Sequence, residues 1–278
     1  MSGPLRAEAL KESWQRELDA HARWLDAGAP LPPTLLPSTW RSPAKPTPLP
    51  MENLGAIPST LCFERLELHA RRVLDANEQH NLVSRREPER QILVNLLDSL
   101  PVVGAWAEVS RETGPEDEAP RCLIDAGSGS GVPGLPLQLL LADRGGQFPD
   151  LLLVESRGNK ADFLEATLEA LELDRAGVWG GRLEDPALPE WLEEEGWTGP
   201  ACLLARAIGS VRDTLSWCRP LLGEEWLSDA LHIKSHEGLL REWEADGRNW
   251  TRDGWKHLSL YLFMGSERPL CFLRSSQR

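Results

Sequence analysis

Hydrophobic and polar positions follow a helical spacing in three stretches of the first hundred residues. Apolar residues there recur every three or four positions, which is the period of a helix packed on one face. The period predicts a helix over residues 8–27, another from residue 61 to at least residue 74, and a third over residues 88–97. Residues 84–87 fit a capping box ahead of the third helix, and Pro101 ends or kinks it.

Beyond residue 120 the pattern changes to short apolar runs that alternate with helical stretches. Such alternation predicts a parallel sheet with helices on both faces, and two final strands around Gly265–Ser266 predict an antiparallel hairpin. We therefore expect an α/β fold with a mostly parallel, seven-stranded sheet. The predicted strands are residues 122–126, 151–155, 177–180, 202–205, 230–234, 258–264 and 270–274, with helices at 135–142, 160–173 and 211–222.

A proline-dense stretch follows the first helix. Eight prolines lie within residues 30–50, and each fixes φ and removes an amide donor, so we expect an extended linker without a regular strand ladder. The chain then divides into an N-terminal extension (1–60), a helical cap (61–120) that ends in the acidic loop Gly114–Pro120, and a sheet domain (121–278). On this division, deletion of residues 1–55 leaves the rest folded.

The composition is that of a globular protein, with 41% hydrophobic and 26% charged residues. The N-terminus lacks the pattern of a signal peptide, and no stretch reaches the roughly 18 uncharged apolar residues of a membrane helix, so we expect a cytoplasmic protein with no membrane partner. The five cysteines are odd in number and form no C-x-x-C pair. That spacing favours buried thiols over a zinc site or a disulfide framework.

The charge is distributed unevenly. A net charge of −13 argues against nucleic-acid binding by the whole surface. Residues 230–278, however, hold eight Lys/Arg and six Asp/Glu, a local charge of +2 that leaves −15 for the remainder. Any nucleic-acid contact is therefore expected on a limited face, to which these cations and Arg71, Arg72, Arg85 and Arg86 can contribute.

The strongest local motif is the glycine-rich turn Asp125–Gly134, which follows a predicted strand and opens a helix. Gly127, Gly129 and Gly131 let the backbone turn sharply, so that a ligand can lie against bare amides. The first two predicted strands also end in acids, Asp125 and Glu155. An acid at the end of the second strand can accept both hydroxyls of a ribose.

Two adenosine cofactors fit this arrangement. A G-x-G-x-x-G lies within the turn and resembles a dinucleotide fingerprint, with Glu155 as its ribose acid. S-adenosylmethionine is favoured because Asp125 can serve its amino group, and because Pro133 and Pro136 suit a pyrophosphate-binding helix start poorly. An oxidoreductase is also disfavoured because Tyr261 is the only tyrosine and no Y-x-x-x-K pair is present. A glycine turn without any ligand is the third interpretation.

Ordered blocks around the turn resemble the RsmG family, also called glucose-inhibited division protein B. The resemblance covers residues 61–278. In chain order the blocks are N-E-Q-H-N-L-V-S (77–84), N-L-L-D-S (95–99), the turn through Pro136, E-S with Lys160 and F-L (155–164), G-G-R-L-E-D (180–185), A-R-A (205–207), L-S-W-C (215–218), Lys234 and S-E-R (266–268).

The family methylates N7 of a guanine in 16S ribosomal RNA, and the resemblance implies the same chemistry here. It implies a Rossmann-like methyltransferase domain over residues 121–278, S-adenosylmethionine as cofactor, and 16S ribosomal RNA or the small ribosomal subunit as partner. We also expect a monomer that uses no metal. The implied catalytic residues are Arg206, Asn81 and Asp98. The implied cofactor-binding residues are Asp125, Gly127, Ser128, Gly129, Gly131, Val132, Glu155, Leu183, Glu184 and Arg206.

The chain departs from the family's pattern at four places. Asn95 stands where the family has His, Val94 where a basic residue is usual, Ala76 where it has Trp, and Ser235 where Gly follows the lysine. All four lie outside the predicted cofactor site. A cofactor-binding but inactive ribosome-assembly protein is therefore the alternative to an active enzyme.

Overall fold

A computed structural model of the chain describes residues 3–30, 46–112, 120–145, 148–223, 226–246, 250, 255, 257–265 and 269–276. Across these residues runs a single eight-stranded sheet with the order β1-β7-β8-β6-β5-β2-β3-β4. Only β8 in this sheet runs antiparallel to its neighbours, β6 and β7. The strands are β1 (Pro46–Pro48), β2 (Cys122–Ala126), β3 (Asp150–Val154), β4 (Ala176–Trp179), β5 (Ala201–Arg206), β6 (Leu227–Ser235), β7 (His257–Met264) and β8 (Pro269–Ser276).

Helices cover both faces of the sheet. The first seven pack mainly on one face, where β2 contributes Leu123, and the last four on the other, where β2 contributes Ile124. The expected α/β, Rossmann-like fold with a C-terminal antiparallel hairpin is confirmed. The helices are α1 (Ala7–Asp26), α2 (Met51–Leu54), α3 (Thr60–His80), α4 (Pro88–Ser99), α5 (Val102–Glu112), α6 (Gly134–Arg144), α7 (Gly158–Ala170), α8 (Leu188–Glu194), α9 (Val211–Trp217), α10 (Arg219–Gly223) and α11 (His236–Asp246).

The predicted helices differ from the structure in two details. The capping box at residues 84–87 is wrong, because the Ser84 hydroxyl accepts from the amide of Arg86 and no side chain caps helix α4. Pro88 begins the helix instead, since its fixed φ suits a first turn. The single helix predicted over residues 211–222 is split at Cys218 into α9 and α10.

The proline-dense stretch contributes a strand, so the expectation of a linker without a ladder is wrong at its C-terminal end. Strand β1 pairs in parallel with β7, and the amide of Leu49 continues the ladder by donating to the carbonyl of Leu262 at 2.9 Å. Because alternate residues face opposite edges, the nitrogens of Pro46 and Pro48 lie on the open side, where no donor is required. This strand raises the expected count of seven to eight. Residues 31–45 and most of the predicted loop Gly114–Pro120 lie outside the described residues.

Helix α1 packs into the body of the protein. Leu10, Trp14 and Leu18 are buried in the same core cluster as α3, α4 and α6. His21 is also buried, and its Nε2 donates to the carbonyl of Leu49 at 2.7 Å while its Nδ1 accepts from the amide of Met264 at 3.0 Å. The division at residue 60 stays a prediction, but the helix is tied to β1 and β7 rather than held apart from them.

Burial accounts for two further features of composition. All five cysteines are buried and free, as expected. Residues 88–111, across α4 and α5, are long and apolar enough to cross a membrane by length and composition alone, although Asp98 and Glu108 interrupt them, so they hold no run of about 18 uncharged apolar residues. Most of that stretch (78% of its most apolar window) is buried inside the fold, as in the core helix of a water-soluble domain.

Candidate active site

The glycine turn lies at the carboxyl end of β2, where parallel strands place a ligand crevice. Gly127, Gly129 and Gly131 have φ values of 63°, 56° and 87°, in the left-handed region that favours glycine. The amide of Ser128 donates to the carbonyl of Val154 at 3.0 Å, which fastens the turn to β3. The sequence Gly-x-Gly-x-Gly therefore produces a fixed loop between β2 and α6.

The two predicted acids hold this loop in place. Asp125 accepts from the amide of Gly134 at 2.9 Å, and Glu155 accepts from the amides of Gly129 at 3.0 Å and Arg157 at 2.9 Å. Hydrogen bonds from amides to carboxylates are short and strong. Both acids thus organise backbone amides before any ligand is bound, a role that the sequence did not predict for Glu155.

Gly129 is the position at which the turn meets open space. A Cβ on Gly134 would lie 2.7 Å from the Asp125 carboxylate, and Cβ atoms on Gly127 and Gly131 would collide with Ile208 and Leu135. On Gly129 the nearest atom would be the carbonyl oxygen of Gly127, at 3.8 Å. Its φ still favours glycine. No protein atom occupies the space that a side chain on Gly129 would take.

Asp125 has one carboxylate oxygen without a partner. Oδ2 binds the Gly134 amide, while Oδ1 is buried and has no hydrogen-bond partner among the described residues. Burial raises the pKa of this carboxyl to about 7, although the Gly134 amide and the charge of Arg206 act in the opposite direction. A buried, unpaired oxygen of this kind suits a cationic donor supplied by a ligand.

A crevice of about 330 Å³ opens beside the turn, between the ends of β2, β3, β4 and β5. Predicted residues Gly127, Leu183 and Glu184 line it together. Leu183 is buried and Glu184 is exposed, so the crevice offers an apolar wall and an acidic rim. The remaining lining residues are Ala126, Val154, Ser156, Arg157, Gly181, Arg182, Ile208 and Trp217. Ile208 and Trp217 were not predicted, because nothing in their local sequence marks them as ligand contacts.

Arg206 joins the sheet edge to the helical cap. It ends β5, and its Nη2 donates to Asn95 Oδ1 at 2.9 Å and to Asp98 Oδ2 at 3.1 Å on α4. The Arg206 and Asp98 side chains are only 16% and 11% exposed, so solvent screens the pair weakly. The next residue, Ala207, has a φ of 58°, a strained value for a residue other than glycine. The predicted pair Arg206 and Asp98 is thus in contact, and Asn95 joins it.

A second link from the cap reaches the glycine turn directly. His69 on α3 is fully buried, and its Nε2 donates to the carbonyl of Ser130 at 2.7 Å. Burial lowers the pKa of His69 to about 4, so the ring is neutral near pH 7. This residue was missed from sequence. The only signal in the sequence was a histidine on the apolar face of a helix, and such histidines are usually buried residues of the core.

The other predicted site residues occupy simpler positions. Asn81 adopts a left-handed conformation with a φ of 50° and ends helix α3, and it is exposed. The buried Asn77 accepts from the amide of Val83 at 2.8 Å and shapes the same corner. The Ser128 hydroxyl donates to the Asp125 carbonyl at 2.7 Å, and Val132 is half-buried in the turn. Roles for these residues in binding or catalysis stay predictions.

A family model fits most of the chain. The model described as GidB, rRNA small subunit methyltransferase G, matches residues 63–271 of the 278. The chain belongs to this family. The match includes the glycine turn, the crevice and the Arg206 cluster, and it leaves helix α1 and strand β1 outside.

Relatives and solved structures agree with this assignment. Ribosomal RNA small subunit methyltransferase G of Aeromonas salmonicida (strain A449) is 32% identical over 149 residues, which are 54% of this chain and 60% of the relative. The protein of the same name from Desulfitobacterium hafniense (strain Y51) is 32% identical over 161 residues, 58% of either chain. The chain thus spans about three fifths of the length of the curated relatives it matches. The METTL16 MTase domain superposes with a TM-score of 0.51 at 16% identity, covering 77% of this chain and 81% of that one, and shows the fold alone.

The residues of the family's site in this chain fit S-adenosylmethionine. The open face of Gly129 leaves room for a ligand against the backbone, and the unpaired Asp125 Oδ1 can accept from an ammonium group. The exposed carboxylate of Glu184 stands at the rim of the crevice, where hydroxyl groups of a sugar can donate to it. These three features match an amino acid joined to a nucleoside.

Proposed function

We propose that the protein is an S-adenosylmethionine-dependent methyltransferase that acts on N7 of a guanine in 16S ribosomal RNA. The observation that carries the proposal is the glycine turn, in which Gly129 is the one open glycine and Asp125 keeps a buried oxygen unpaired. Membership of the rRNA small subunit methyltransferase G family supplies the substrate class. The two together favour methyl transfer over other uses of an adenosine-binding crevice.

The chain's own residues provide the binding groups for the cofactor. Asp125 Oδ1 is assigned to the methionine ammonium, and Glu155 and Glu184 are assigned to the ribose hydroxyls. Leu183 offers the apolar surface on which an adenine can lie. Leu183 and Glu184 are assigned because they line the crevice, and Asp125 and Glu155 because they lie at the ends of β2 and β3, whose last residues line it.

The reaction needs alignment more than acid or base chemistry. When bound, S-adenosylmethionine would supply an activated methyl group on a cationic sulfur, and the lone pair of guanine N7 would be its acceptor. Guanine N7 carries no proton, so no base is required. The protein's task is to hold the base in line and exclude water, which can be worth about 7–11 kcal/mol. Arg206, fixed by Asn95 and Asp98, is suited to orient the base or a phosphate.

Two other functions are less well supported. A dinucleotide oxidoreductase would use the same turn, but the family match points to a methyltransferase. An inactive assembly protein would keep the crevice and lose the chemistry. Asn95, which replaces the family's His, was one reason to consider this alternative. In the structure Asn95 accepts from Arg206 and therefore leaves no gap in the site. Because the family's substrate is ribosomal RNA, we further propose that the protein acts in the cytoplasm. We also propose that it is a monomer and uses no metal.

The test is methyl transfer from labelled S-adenosylmethionine to 16S ribosomal RNA, presented as naked RNA, small subunits and intact ribosomes. N7-methylguanine makes the backbone cleavable after borohydride and aniline, so the labelled position can be mapped. We expect one labelled guanine in at least one of the three substrates. Label on a carbon atom or on protein would refute the proposed substrate. No label in any form would favour the inactive assembly protein.

A further inference from the structure

A second cavity, here called the cap cavity, lies outside the cofactor crevice. It measures about 230 Å³ and is enclosed by helix α1, helix α4 and the β7–β8 hairpin. Its lining includes Ser13 and Arg16 from α1, Val94 and Asp98 from α4, and Phe263 from β7. Neither the glycine turn nor the residues assigned to the cofactor contribute to it.

The cap cavity shares an edge of the sheet with the crevice. Strand β8 is antiparallel to both β6 and β7, so β7 runs in the same direction as β6, β5 and β2. Phe263 and Gly265, at the end of β7, therefore lie on the carboxyl edge on which the glycine turn also lies. Parallel α/β sheets bind their ligands along this edge.

Asp98 connects the two cavities. It lines the cap cavity and accepts from Arg206, which ends β5, the strand next to β2. The charge of Arg206 in turn acts on Asp125 in the glycine turn. Asp98 and Arg206 thus link the wall of the cap cavity to the end of β5, next to the strand that carries Asp125.

The lining combines an apolar wall with two arginines and two acids, Glu17 and Asp98. Leu93, Val94 and Leu97 are apolar residues of α4 that stay only half-buried where they face the cavity. Apolar surfaces of this kind pack against the faces of unstacked bases. Arg16 and Arg90 are exposed at its rim and can bind phosphate, and a carboxylate such as Asp98 can accept from the edge of a base.

We propose that the cap cavity receives the target nucleotide of the RNA, with the base against α4 and the flanking phosphate near Arg16. The proposal rests on the proposed function and adds the place of the substrate. It also assigns a role to helix α1, which lies outside the family match and forms one wall of the cavity. The N-terminal extension then belongs to the substrate site.

The first test fills the cavity. Val94→Trp adds a large side chain to its lining, and Glu89→Trp, an exposed site on the same helix that does not line it, is the matched control. We expect Val94→Trp to lower kcat/KM for 16S RNA by about 100-fold, as for a misplaced substrate, while Kd for S-adenosylmethionine and Tm stay unchanged. A folded Val94→Trp protein that methylates RNA as well as Glu89→Trp does would overturn the proposal.

The second test measures RNA binding instead of turnover, and it changes an exposed residue. Arg16→Ala should reduce the slope of log K for 16S RNA binding against log salt by about 0.7, the value for one phosphate contact with a single strand. Arg23→Ala, at an exposed position of the same helix that does not line the cavity, should leave the slope unchanged. Equal slopes for both variants would contradict the cavity's role. Wild-type protein that binds RNA but transfers no methyl group would refute the proposed function instead.

Discussion

The crevice and the cap cavity lie on one edge of the sheet but are built in different ways. Around the glycine turn, Asp125 and Glu155 bind backbone amides within residues 125–157, and His69 adds one hydrogen bond from the cap. The cap cavity is formed by α1, α4 and a hairpin near the C-terminus, which meet only through tertiary packing. Local hydrogen bonds thus define the proposed cofactor site, whereas core packing defines the proposed substrate site.

The largest expected effect concerns the packing of α1. Deletion of residues 1–55 removes the buried Trp14, the His21 bridge and strand β1, so we now expect the remaining chain to lose its cooperative thermal transition. The point variant Trp14→Ala should cost about 3–5 kcal/mol in the free energy of unfolding. Exposed Gln15→Ala should cost less than about 0.5 kcal/mol. Calorimetry that finds the shortened chain folded with an unchanged Tm would restore the separable extension expected from the prolines.

Gly129→Val should abolish binding of S-adenosylmethionine while the fold stays cooperative. The branched side chain would fill the open face of the turn. Gly145→Val is the matched control, because Gly145 also has a positive φ, of 72°, and open space, but ends α6 away from the crevice. Both variants place a branched side chain at a positive φ, so both should lose stability, on the order of 1–3 kcal/mol. Normal binding by Gly129→Val would show that the ligand lies elsewhere.

Arg206→Ala should reduce methyl transfer far more than cofactor binding, by roughly 100-fold if the arginine stabilises the reacting geometry. The substitution removes the link between β5 and α4 and leaves Asp98 without that cation. Arg206→Lys keeps the charge but loses the planar fork, so it should recover some of the activity. The single-turnover rate of methyl transfer and the Kd for S-adenosylmethionine are measured on the same Arg206 variants. A parallel loss of both would place Arg206 in the cofactor site.

The smallest effect is a pH dependence centred on Asp125. With a pKa of about 7, this carboxyl is increasingly protonated below neutrality, and it then lacks the negative charge that attracts an ammonium. Affinity for S-adenosylmethionine should therefore fall as the pH drops below 7, by up to about tenfold per unit, with proton release on binding. Asp125→Asn should flatten the profile and weaken binding at pH 8. A pH-independent Kd in the wild type would contradict this role.

The same carboxyl gives a stability prediction of the opposite sign. Between its ordinary value of 3.8 and about 7, the folded protein holds a proton that the unfolded chain has lost. This contribution to the free energy of unfolding therefore decreases as the pH rises from 4 to 7 and is absent above it. His69 acts in the other direction, because its lowered pKa of about 4 makes stability fall as the pH drops from 6.5 to 4. Melting curves of Asp125→Asn and His69→Gln separate the two.

The contrast also explains what could be predicted from the sequence. The sheet and the glycine turn were predictable, because both depend on short-range patterns such as apolar runs and Asp125–Gly134. Strand β1 was not, since its prolines argue against a ladder and only the free edge of β7 makes it possible. The contact between His69 and Ser130 and the bond between Asn95 and Arg206 join residues 61 and 111 positions apart. Local spacing carries no signal for either.

The most direct test of the account is a calorimetric titration of the purified protein with S-adenosylmethionine, its demethylated product and NAD in parallel. The open face of Gly129 and the unpaired Asp125 Oδ1 predict binding of the first two with a stoichiometry of one. NAD should produce no heat of binding, because Pro133 and Pro136 lie at the helix start that would have to receive its pyrophosphate. Binding of NAD with no binding of S-adenosylmethionine or its product would contradict the assignment of the crevice.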